Sequence, residues 1–193
     1  MSLSAVLSRI DDQLPAALDR LTGLLRIPSI STDPAYAGDC EAAADWLVAD
    51  LQTLGVTAEK RATPGRPMVV GHIDGPTDAT GPHLLFYGHY DVQPVDPLAL
   101  WHTDPFAPEI QDTPHGKVIR ARGASDDKGQ LMTFVEACRA YRDVTGALPC
   151  RITFFFEGEE ESGSPSLIPF MRDNATELSA DLALICDTSM VAP

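Results

Sequence analysis

The sequence of 193 residues lacks any apolar stretch approaching the roughly 18 residues that a membrane-spanning helix needs. Its opening residues, MSLSAVLSRIDDQL, also lack the basic segment and apolar core of a secretory signal. Basic residues are scarce, since 14 Lys and Arg stand against 28 Asp and Glu, a formal charge of −14 at pH 7. Such a surface repels nucleic acid and anionic membranes, so neither is predicted as a partner. The acidity favours the binding of cations, although many enzymes are acidic for solubility alone.

Cysteine is sparse as well, and its spacing excludes the common metal-binding pairs. The sequence contains four cysteines and no Cys-x-x-Cys pair, and each lies in an otherwise apolar segment: Cys40, Cys138, Cys150 and Cys186. We therefore expect buried, reduced thiols, with one disulfide pair as the alternative. Reduced thiols and the lack of a secretory signal together predict a cytoplasmic protein.

The spacing of the apolar residues predicts a single α/β domain. Helices are expected at residues 6–25, 39–54, 128–141 and 166–172. Short apolar strands are expected at residues 56–58, 68–73, 83–87, 118–121, 151–156 and 181–186. Gly55 is the expected left-handed cap of the second helix, and residues 89–115, rich in Pro and Asp, predict a long functional loop. Helices that alternate with continuous apolar strands favour a largely buried sheet.

The first segment that carries chemistry runs from Leu84 to Asp91. An apolar strand delivers His89 and Asp91 to its carboxyl end, on the same side of the strand if the chain is extended. A carboxylate beside an imidazole can fix its tautomer and raise its basicity, as the outer partners of metal-bound histidines do. Taken alone, the segment is also explained by a surface histidine and a turn aspartate.

Three further acidic segments each follow an apolar strand. Asp126 and Asp127 come after the strand at residues 118–121 and a glycine turn, and helix capping accounts for only one of the two. Asp187 follows the last apolar strand. Four carboxylates follow the aromatic strand that ends at Phe156: Glu157, Glu159, Glu160 and Glu161. Because neighbouring carboxylates repel one another, this group needs cations, protons or a fully solvated loop.

Together the four segments predict a metal site. In α/β folds, ligands bind at the carboxyl edge of the sheet, where all four segments are expected to meet. One imidazole and several carboxylates without thiolates suit zinc, manganese or cobalt, and argue against a structural zinc site. More carboxylates are present than one ion requires, so two ions that share a bridging aspartate are predicted. Such ions lie about 3.5–4 Å apart, hold a water and polarise a carbonyl oxygen, while a nearby glutamate serves as general base.

These segments resemble the co-catalytic zinc metallopeptidases, which include carnosinase, aminoacylase, acetylornithine deacetylase, succinyl-diaminopimelate desuccinylase and glutamate carboxypeptidase. The resemblance is closest to the carnosinase-like dipeptidase branch. It rests on four motifs in the family's order: YGHYDVQP at 87–94, WHTDPF at 101–106, RGASDDKG at 122–129 and EGEEESGS at 157–164. The implied fold is a three-layer α/β/α catalytic domain with a mostly parallel mixed sheet.

The resemblance also implies a set of metal ligands. Asp126 would bridge two divalent ions, with zinc as the expected metal and manganese or cobalt as alternatives. His89 and Asp187 would complete the site of one ion. Glu161 would bind the other ion.

Two further roles follow from the same resemblance. Glu160 would be the general base that deprotonates the bridging water, and Asp91 would orient the metal-bound histidine. Glu159 lies one residue away, so the register of the glutamates stays open. The family pattern also implies a cis peptide bond between Asp126 and Asp127.

The remaining candidates are predicted to be structural. Trp101 and Phe106 are expected to attach the long loop to the core, and Lys128 is expected at a helix start or in a salt bridge. Four histidines are predicted to be surface or loop residues without a metal: His72, His83, His102 and His115.

The chain departs from the family in its length. Family members are longer and carry a dimerisation or lid domain, followed by a segment that returns to the sheet with one more histidine ligand. The resemblance therefore implies that residues 1–193 are the N-terminal part of the catalytic domain of a homodimeric enzyme, incomplete at the C-terminus. The implied function is two-metal hydrolysis of dipeptides or small amides. An N-acyl amino acid deacylase with the same site, and a metal-binding fragment without activity, are the alternatives.

Overall fold

The computed structural model describes residues 3–76, 81–114 and 116–188. Within these residues lie four α-helices: α1 Leu3–Leu25, α2 Ala37–Thr53, α3 Lys128–Thr145 and α4 Leu167–Asp173. The same residues contain seven strands: β1 Thr57–Arg61, β2 Met68–Ile73, β3 Leu84–His89, β4 Glu109–Thr113, β5 Gly116–Arg120, β6 Ile152–Glu157 and β7 Leu182–Ile185. All the predicted helices and strands are present, with shifts of a few residues at their ends.

Glycines in the left-handed conformation end two of the helices. Gly55 follows α2 with a φ of 76°, and its N–H donates to the carbonyl of Gln52 at 2.9 Å. Gly146 follows α3 with a φ of 83°, and its N–H donates to the carbonyl of Arg142 at 2.7 Å. Glycine adopts this conformation without the steric cost that a side chain imposes. The predicted cap at Gly55 is confirmed.

The main sheet has five strands in the order β1-β2-β6-β3-β7. β2 runs antiparallel to both of its neighbours, β1 and β6, whereas β3 is parallel to both β6 and β7. All strands except β2 therefore point the same way, and the predicted mostly parallel mixed sheet is confirmed. His89 lies opposite Glu157 in the pairing of β3 with β6, so these strands end together. We call this end of the sheet the carboxyl edge.

The aromatic triplet in β6 connects the three layers of the domain. Phe154 and Phe156 are fully buried on the face covered by α1, α2 and α3. Phe155 points to the opposite face and stacks on Phe170 of α4, with the ring centroids 5.7 Å apart. Burial of a phenyl ring stabilises a fold by about 1.5–3 kcal/mol. Since β6 is covered on both faces, the predicted α/β/α order is confirmed.

The prediction of one long loop at residues 89–115 is wrong in part, because this segment contains β4. β4 pairs with β5 in a separate two-stranded sheet. Its sequence, EIQDT, has no apolar run, and its residues are exposed or half-buried, so hydrophobic patterning carries no signal. As a consequence, Asp126 follows a strand outside the main sheet, and only the other three acidic segments follow strands within it.

The structure can be compared with two further predictions, one about the cysteine thiols and one about membrane-spanning segments. All four cysteines are free, with Cys40 and Cys138 buried and Cys150 and Cys186 half-buried. The prediction of free thiols is confirmed and the alternative of a disulfide pair is wrong, but the predicted burial is confirmed only for Cys40 and Cys138. Among the described residues, no helix has both the length and the apolar character needed to cross a membrane.

Candidate metal centre

Four distant parts of the chain meet at the carboxyl edge. β3 ends at His89, β6 is followed by the glutamates at 159–161, and β7 is followed by Asp187. Asp126 lies in the turn between β5 and α3 and so does not follow a strand of the main sheet. The peptide bond between Asp126 and Asp127 is cis, as the resemblance implies.

His89, Asp126 and Asp187 form a cluster whose potential ligand atoms all lie within 4.8 Å of one another. Nε2 of His89 lies 3.1 Å from Oδ1 of Asp126 and 3.9 Å from Oδ2 of Asp187. Ligand atoms at about 2.0–2.2 Å from one ion lie about 3–4 Å from each other, so this donor set fits a divalent ion. The imidazole is fully buried, whereas the side chains of Asp126 and Asp187 are 57% and 36% exposed. The cluster is therefore open to solvent on one side.

Asp91 and burial fix the ring of His89. Nδ1 lies 3.1 Å from the backbone carbonyl of Asp91 and 3.3 Å from Oδ1 of its carboxylate. Either acceptor favours a proton on Nδ1, which leaves the lone pair of Nε2 facing the cluster. Burial disfavours the imidazolium, but Asp91, together with Asp127 and Asp126, outweighs it and raises the pKa of His89 to about 10. The surroundings therefore favour a positive charge at Nε2, carried by a proton or by a metal ion.

The carboxylate of Asp91 also holds the turn that carries the glutamates. It is fully buried. Its Oδ1 accepts the N–H of Glu160 at 3.2 Å, and its Oδ2 accepts the N–H of Glu161 at 3.0 Å. The hydroxyl of Ser31 donates to Oδ2 at 2.5 Å. One carboxylate thus connects the histidine ring to the glutamate turn.

The structure separates Glu159 from the other two glutamates. Glu159 is 5% exposed, and its carboxylate occupies the space that a side chain at residue 65, a glycine, would take. Its Oε2 accepts the N–H of Ser166 at 3.2 Å. The recorded contacts of the Glu159 carboxylate are therefore with Gly65 and Ser166 and not with the cluster, which indicates a structural role.

Glu160 and Glu161 remain beside the cluster. Oε2 of Glu160 lies 4.0 Å from Nε2 of His89. Glu161 is not part of the three-residue cluster, and its Oε2 accepts the side-chain amide of Gln93 at 2.5 Å. Burial raises the pKa of both glutamates, and the negative charges of Asp126 and Asp91 raise them further. Such a shift makes a carboxylate a better proton acceptor.

Sequence reasoning missed the burial of the two residues that follow Asp126. Asp127 is fully buried, its Oδ2 accepts the N–H of His89 at 3.0 Å, and burial raises its pKa to about 7. Lys128 is also fully buried, and its Nζ donates to the carbonyls of Leu24 at 3.2 Å and Ile27 at 2.7 Å. Lys128 is the first residue of α3, so the predicted position at a helix start is confirmed. The alternative of a salt bridge is wrong, since the recorded partners of Nζ are backbone carbonyls. In the sequence, the only indication of these two buried residues is an acidic pair and a lysine that follow a glycine turn.

Glu157 is a further buried carboxylate at the carboxyl edge, and the sequence predicted no role for it. Tyr87 and Ser164 both donate to its Oε1. Burial raises its pKa, which these hydrogen bonds counteract. Glu157 pairs with His89 across strands β6 and β3, so it is next to one member of the cluster in the sheet.

The other predicted structural residues lie away from the cluster. His72 and His83 both contact the hydroxyl of Thr153, near the start of β6. His102 is exposed, and His115 lies outside the described residues. The indole N–H of Trp101 donates to the carbonyl of Val95 at 3.1 Å, which is a contact within the loop itself. The attachment of the loop to the core by Trp101 and Phe106 therefore stays a prediction.

A buried imidazole among carboxylates at the carboxyl edge of an α/β sheet is a group that could hold a metal ion. Its lack of cysteine distinguishes it from the usual structural zinc site. The profile described as Peptidase family M20/M25/M40 matches residues 85–192, more than half of the sequence. The chain belongs to this family of peptidases.

Individual relatives agree with this assignment. The chain is 31% identical over 196 residues to the Cys-Gly metallodipeptidase dug1 of Schizosaccharomyces pombe, a match that covers 96% of the chain and 40% of the relative. It is 34% identical over 175 residues to a succinyl-diaminopimelate desuccinylase of Rhizorhabdus wittichii, covering 87% and 41%. The crystal structure of human carnosine dipeptidase 1 superposes with a TM-score of 0.86 at 26% identity, covering 98% and 42%. The chain thus spans about two fifths of the length of these proteins.

Proposed function

We propose that the chain carries the metal centre of a hydrolase that cleaves the amide bond of dipeptides or related small peptides. The observation that carries this proposal is the cluster of His89, Asp126 and Asp187 within 4.8 Å, with Glu160 beside it. Membership of a peptidase family and similarity to a metallodipeptidase support the reaction class.

The geometry of the cluster supports the ligands of one ion, and the family resemblance suggests those of a second. His89 and Asp187 would hold one ion together with Asp126, and Asp126 and Glu161 would hold a second. The negative charge of Asp126 raises the pKa of Glu161, which supports their proximity. When bound, two divalent ions, with zinc as the expected metal, would activate a shared water and polarise the carbonyl oxygen of the substrate.

Glu160 is the proposed general base. Its carboxylate is close to the cluster, is not held by a side-chain donor that the structure records, and has a raised pKa through burial. Oε2 would accept a proton from the attacking water and later deliver it to the leaving amine. Asp91 would keep the imidazole of His89 in the tautomer with a free Nε2.

The test is the substitution Glu160→Gln in the complete enzyme. Loss of the base should lower kcat on dipeptides by about 100-fold or more while the zinc content stays unchanged. Glu159→Gln is the matched control, because Glu159 is the adjacent carboxylate and faces away from the cluster. Full activity of Glu160→Gln, or an equal loss in Glu159→Gln, would contradict the assignment.

A deacylase that uses the same residues is the second candidate. The similarity to a succinyl-diaminopimelate desuccinylase over 87% of the chain favours it. Dipeptides and N-succinyl amino acids differ in the acyl side of the scissile bond, so kcat/KM measured for both substrate classes with one enzyme preparation distinguishes the two functions. A higher kcat/KM for N-succinyl amino acids would replace the dipeptidase proposal.

We also propose that the chain corresponds to the first part of a catalytic domain, within a homodimer formed through a separate lid domain. All residues of β7 are exposed, including Leu182 at 56% and Ile185 at 60%, which supports an edge that further strands cover. The chain's share of its relatives, about two fifths, supports the same proposal. The free thiols support a cytoplasmic location.

A further inference from the structure

The hydrogen bonds of Asp91 form a small buried network with an unassigned member, Ser31. Oδ2 of Asp91 takes two donors, the hydroxyl of Ser31 at 2.5 Å and the N–H of Glu161 at 3.0 Å. Oδ1 takes the N–H of Glu160 at 3.2 Å and lies 3.3 Å from Nδ1 of His89. Oδ1 therefore faces the histidine and Oδ2 faces Ser31. The hydrogen bond from the Ser31 hydroxyl favours this orientation of the carboxylate.

Burial makes the donor from Ser31 important. Asp91 and His89 are fully buried, and Ser31 is 8% exposed. A buried ionised carboxylate depends on donors in place of water, and several such hydrogen bonds keep it charged. Without the hydroxyl, Oδ2 would keep a single recorded donor, the N–H of Glu161.

The position of Ser31 is set independently of Asp91. Its carbonyl accepts the guanidinium of Arg66 at 3.0 Å. Two residues earlier, the hydroxyl of Ser29 donates to the carbonyl of Tyr90 at 2.7 Å, and the carbonyl of Ser29 accepts the N–H of Val92 at 3.0 Å. The loop after α1 is thus attached on both sides of Asp91, so the hydroxyl of Ser31 is a fixed reference for the carboxylate.

We propose that Ser31 is a positioning residue of the metal centre. It acts through Asp91 on two elements at once, the ring of His89 and the turn that presents Glu160 and Glu161. This inference rests on the proposed function only where metal binding is concerned, because the hydrogen bonds with the turn exist without a metal.

The experiment compares Ser31→Ala with Ser29→Ala in the 193-residue chain. Both variants lose one buried serine hydroxyl from the same loop, but Ser29 donates to a backbone carbonyl and Ser31 to the carboxylate. Amide hydrogen exchange of Glu160 and Glu161 is measured by NMR in EDTA, and zinc affinity is measured by competitive titration. Ser31→Thr keeps the hydroxyl and is the rescue variant.

Ser31→Ala should accelerate exchange of the two amides about tenfold relative to Ser29→Ala, the equivalent of one charge-assisted hydrogen bond. It should also weaken zinc affinity about tenfold or more, the usual effect of removing an outer partner of a metal ligand. Ser31→Thr should restore both values. Equal exchange and equal zinc affinity in Ser31→Ala and Ser29→Ala would overturn the proposal.

The two readouts also separate this inference from the proposed function. If the unsubstituted chain bound no zinc, the metal centre would be contradicted, while amide exchange in EDTA would still decide the role of Ser31. Unchanged exchange would overturn the positioning role even in a chain that binds zinc tightly.

Discussion

The two ends of β6 use the same residue types in opposite ways. Near its start, Thr153 contacts two histidines, one of which contacts a glutamate. At its end, Glu157 pairs with a histidine on the neighbouring strand and feels the charge of Asp91. At the first end each charge has a partner of opposite sign. At the carboxyl edge, negative charges outnumber the available positive ones.

The start of β6 is a closed network. The hydroxyl of Thr153 lies 3.0 Å from Nδ1 of His72 and 2.8 Å from Nε2 of His83. Glu177 lies 2.8 Å from Nε2 of His72 and accepts two hydrogen bonds of 2.6 Å from the guanidinium of Arg61. The guanidinium, opposed in part by burial, lowers the pKa of Glu177 to about 2. Glu177 is therefore paired with Arg61 and His72, and among the described residues no group of potential metal ligands is found at this end.

The carboxyl edge is different because its acids share a single basic partner among the described residues, the histidine at its centre. In the described parts of the chain, no Lys or Arg forms an ion pair with Asp126, Asp187 or Glu160, and His89 is the cationic partner of all three. Burial raises the pKa of Glu160, and the surrounding acids raise it further. The comparison shows that the formal charge of −14 does not by itself indicate a cation site. The informative feature is the group of carboxylates at one edge that lack lysine or arginine partners.

The largest expected effect comes from removing the shared aspartate of the carboxyl edge. Asp126→Ala should weaken zinc binding by more than about 100-fold, because a ligand shared by both proposed ions is lost. Calorimetric titration with zinc measures it. Glu177→Gln, a change at the other end of the sheet, should leave zinc affinity unchanged. Tight zinc binding by Asp126→Ala would contradict the proposed role of Asp126 as a ligand shared by two ions.

A moderate effect is expected from acid at the start of β6. Since the folded-state pKa of Glu177 is depressed, the carboxylate contributes stability that is present above its ordinary pKa and is lost as the pH falls through about 2. Because Glu177 is partly exposed, Glu177→Gln should cost about 1 kcal/mol at pH 7, and the difference should shrink toward zero near pH 2. Urea unfolding at several pH values measures both.

The control for this acid effect is the exposed Glu109→Gln on β4, which should change little at any pH. A difference between Glu177→Gln and the unsubstituted chain that stays constant from pH 7 to about pH 2 would show that the ion pair with Arg61 does not stabilise this end.

The smallest expected effect concerns two thiols, one at each end of the sheet. Cys150 precedes β6, and Cys186 lies between β7 and Asp187. Both are half-buried, and burial raises the pKa of both thiols. Zinc held by Asp187 should slow alkylation of Cys186 severalfold and leave Cys150 unchanged, which peptide mass spectrometry resolves. Equal protection of both thiols would remove the distinction between the ends.

The sequence alone predicts the parts of this site that follow apolar strands. His89 is the last residue of β3 and Asp187 lies two residues after β7, so the strand direction determines where they lie. The position of β4 could not be predicted, because an exposed hairpin needs no apolar pattern. Glu159 could not be separated from Glu160 either, since the difference depends on a glycine 94 positions earlier in the chain, at residue 65, whose missing side chain leaves room for the carboxylate.

The roles of Ser31 and Lys128 depend even more on tertiary structure. Both residues contact partners that are distant in the chain, Asp91 in one case and two carbonyls at the C-terminal end of α1 in the other. A serine in a loop and a lysine at a helix start are common, so neither residue type signals a buried contact. The packing of α1 against α3 and the attachment of the loop after α1 to the end of β3 place them beside the carboxyl edge.

The most direct test of the central claim is zinc-edge X-ray absorption of the chain loaded with one equivalent of zinc. A site made by His89 and carboxylates predicts nitrogen and oxygen ligands at about 2.0–2.2 Å, with the scattering of one imidazole and no sulfur at about 2.3 Å. A sulfur shell would place the ion on a thiol, and the carboxyl edge would then not be the metal centre.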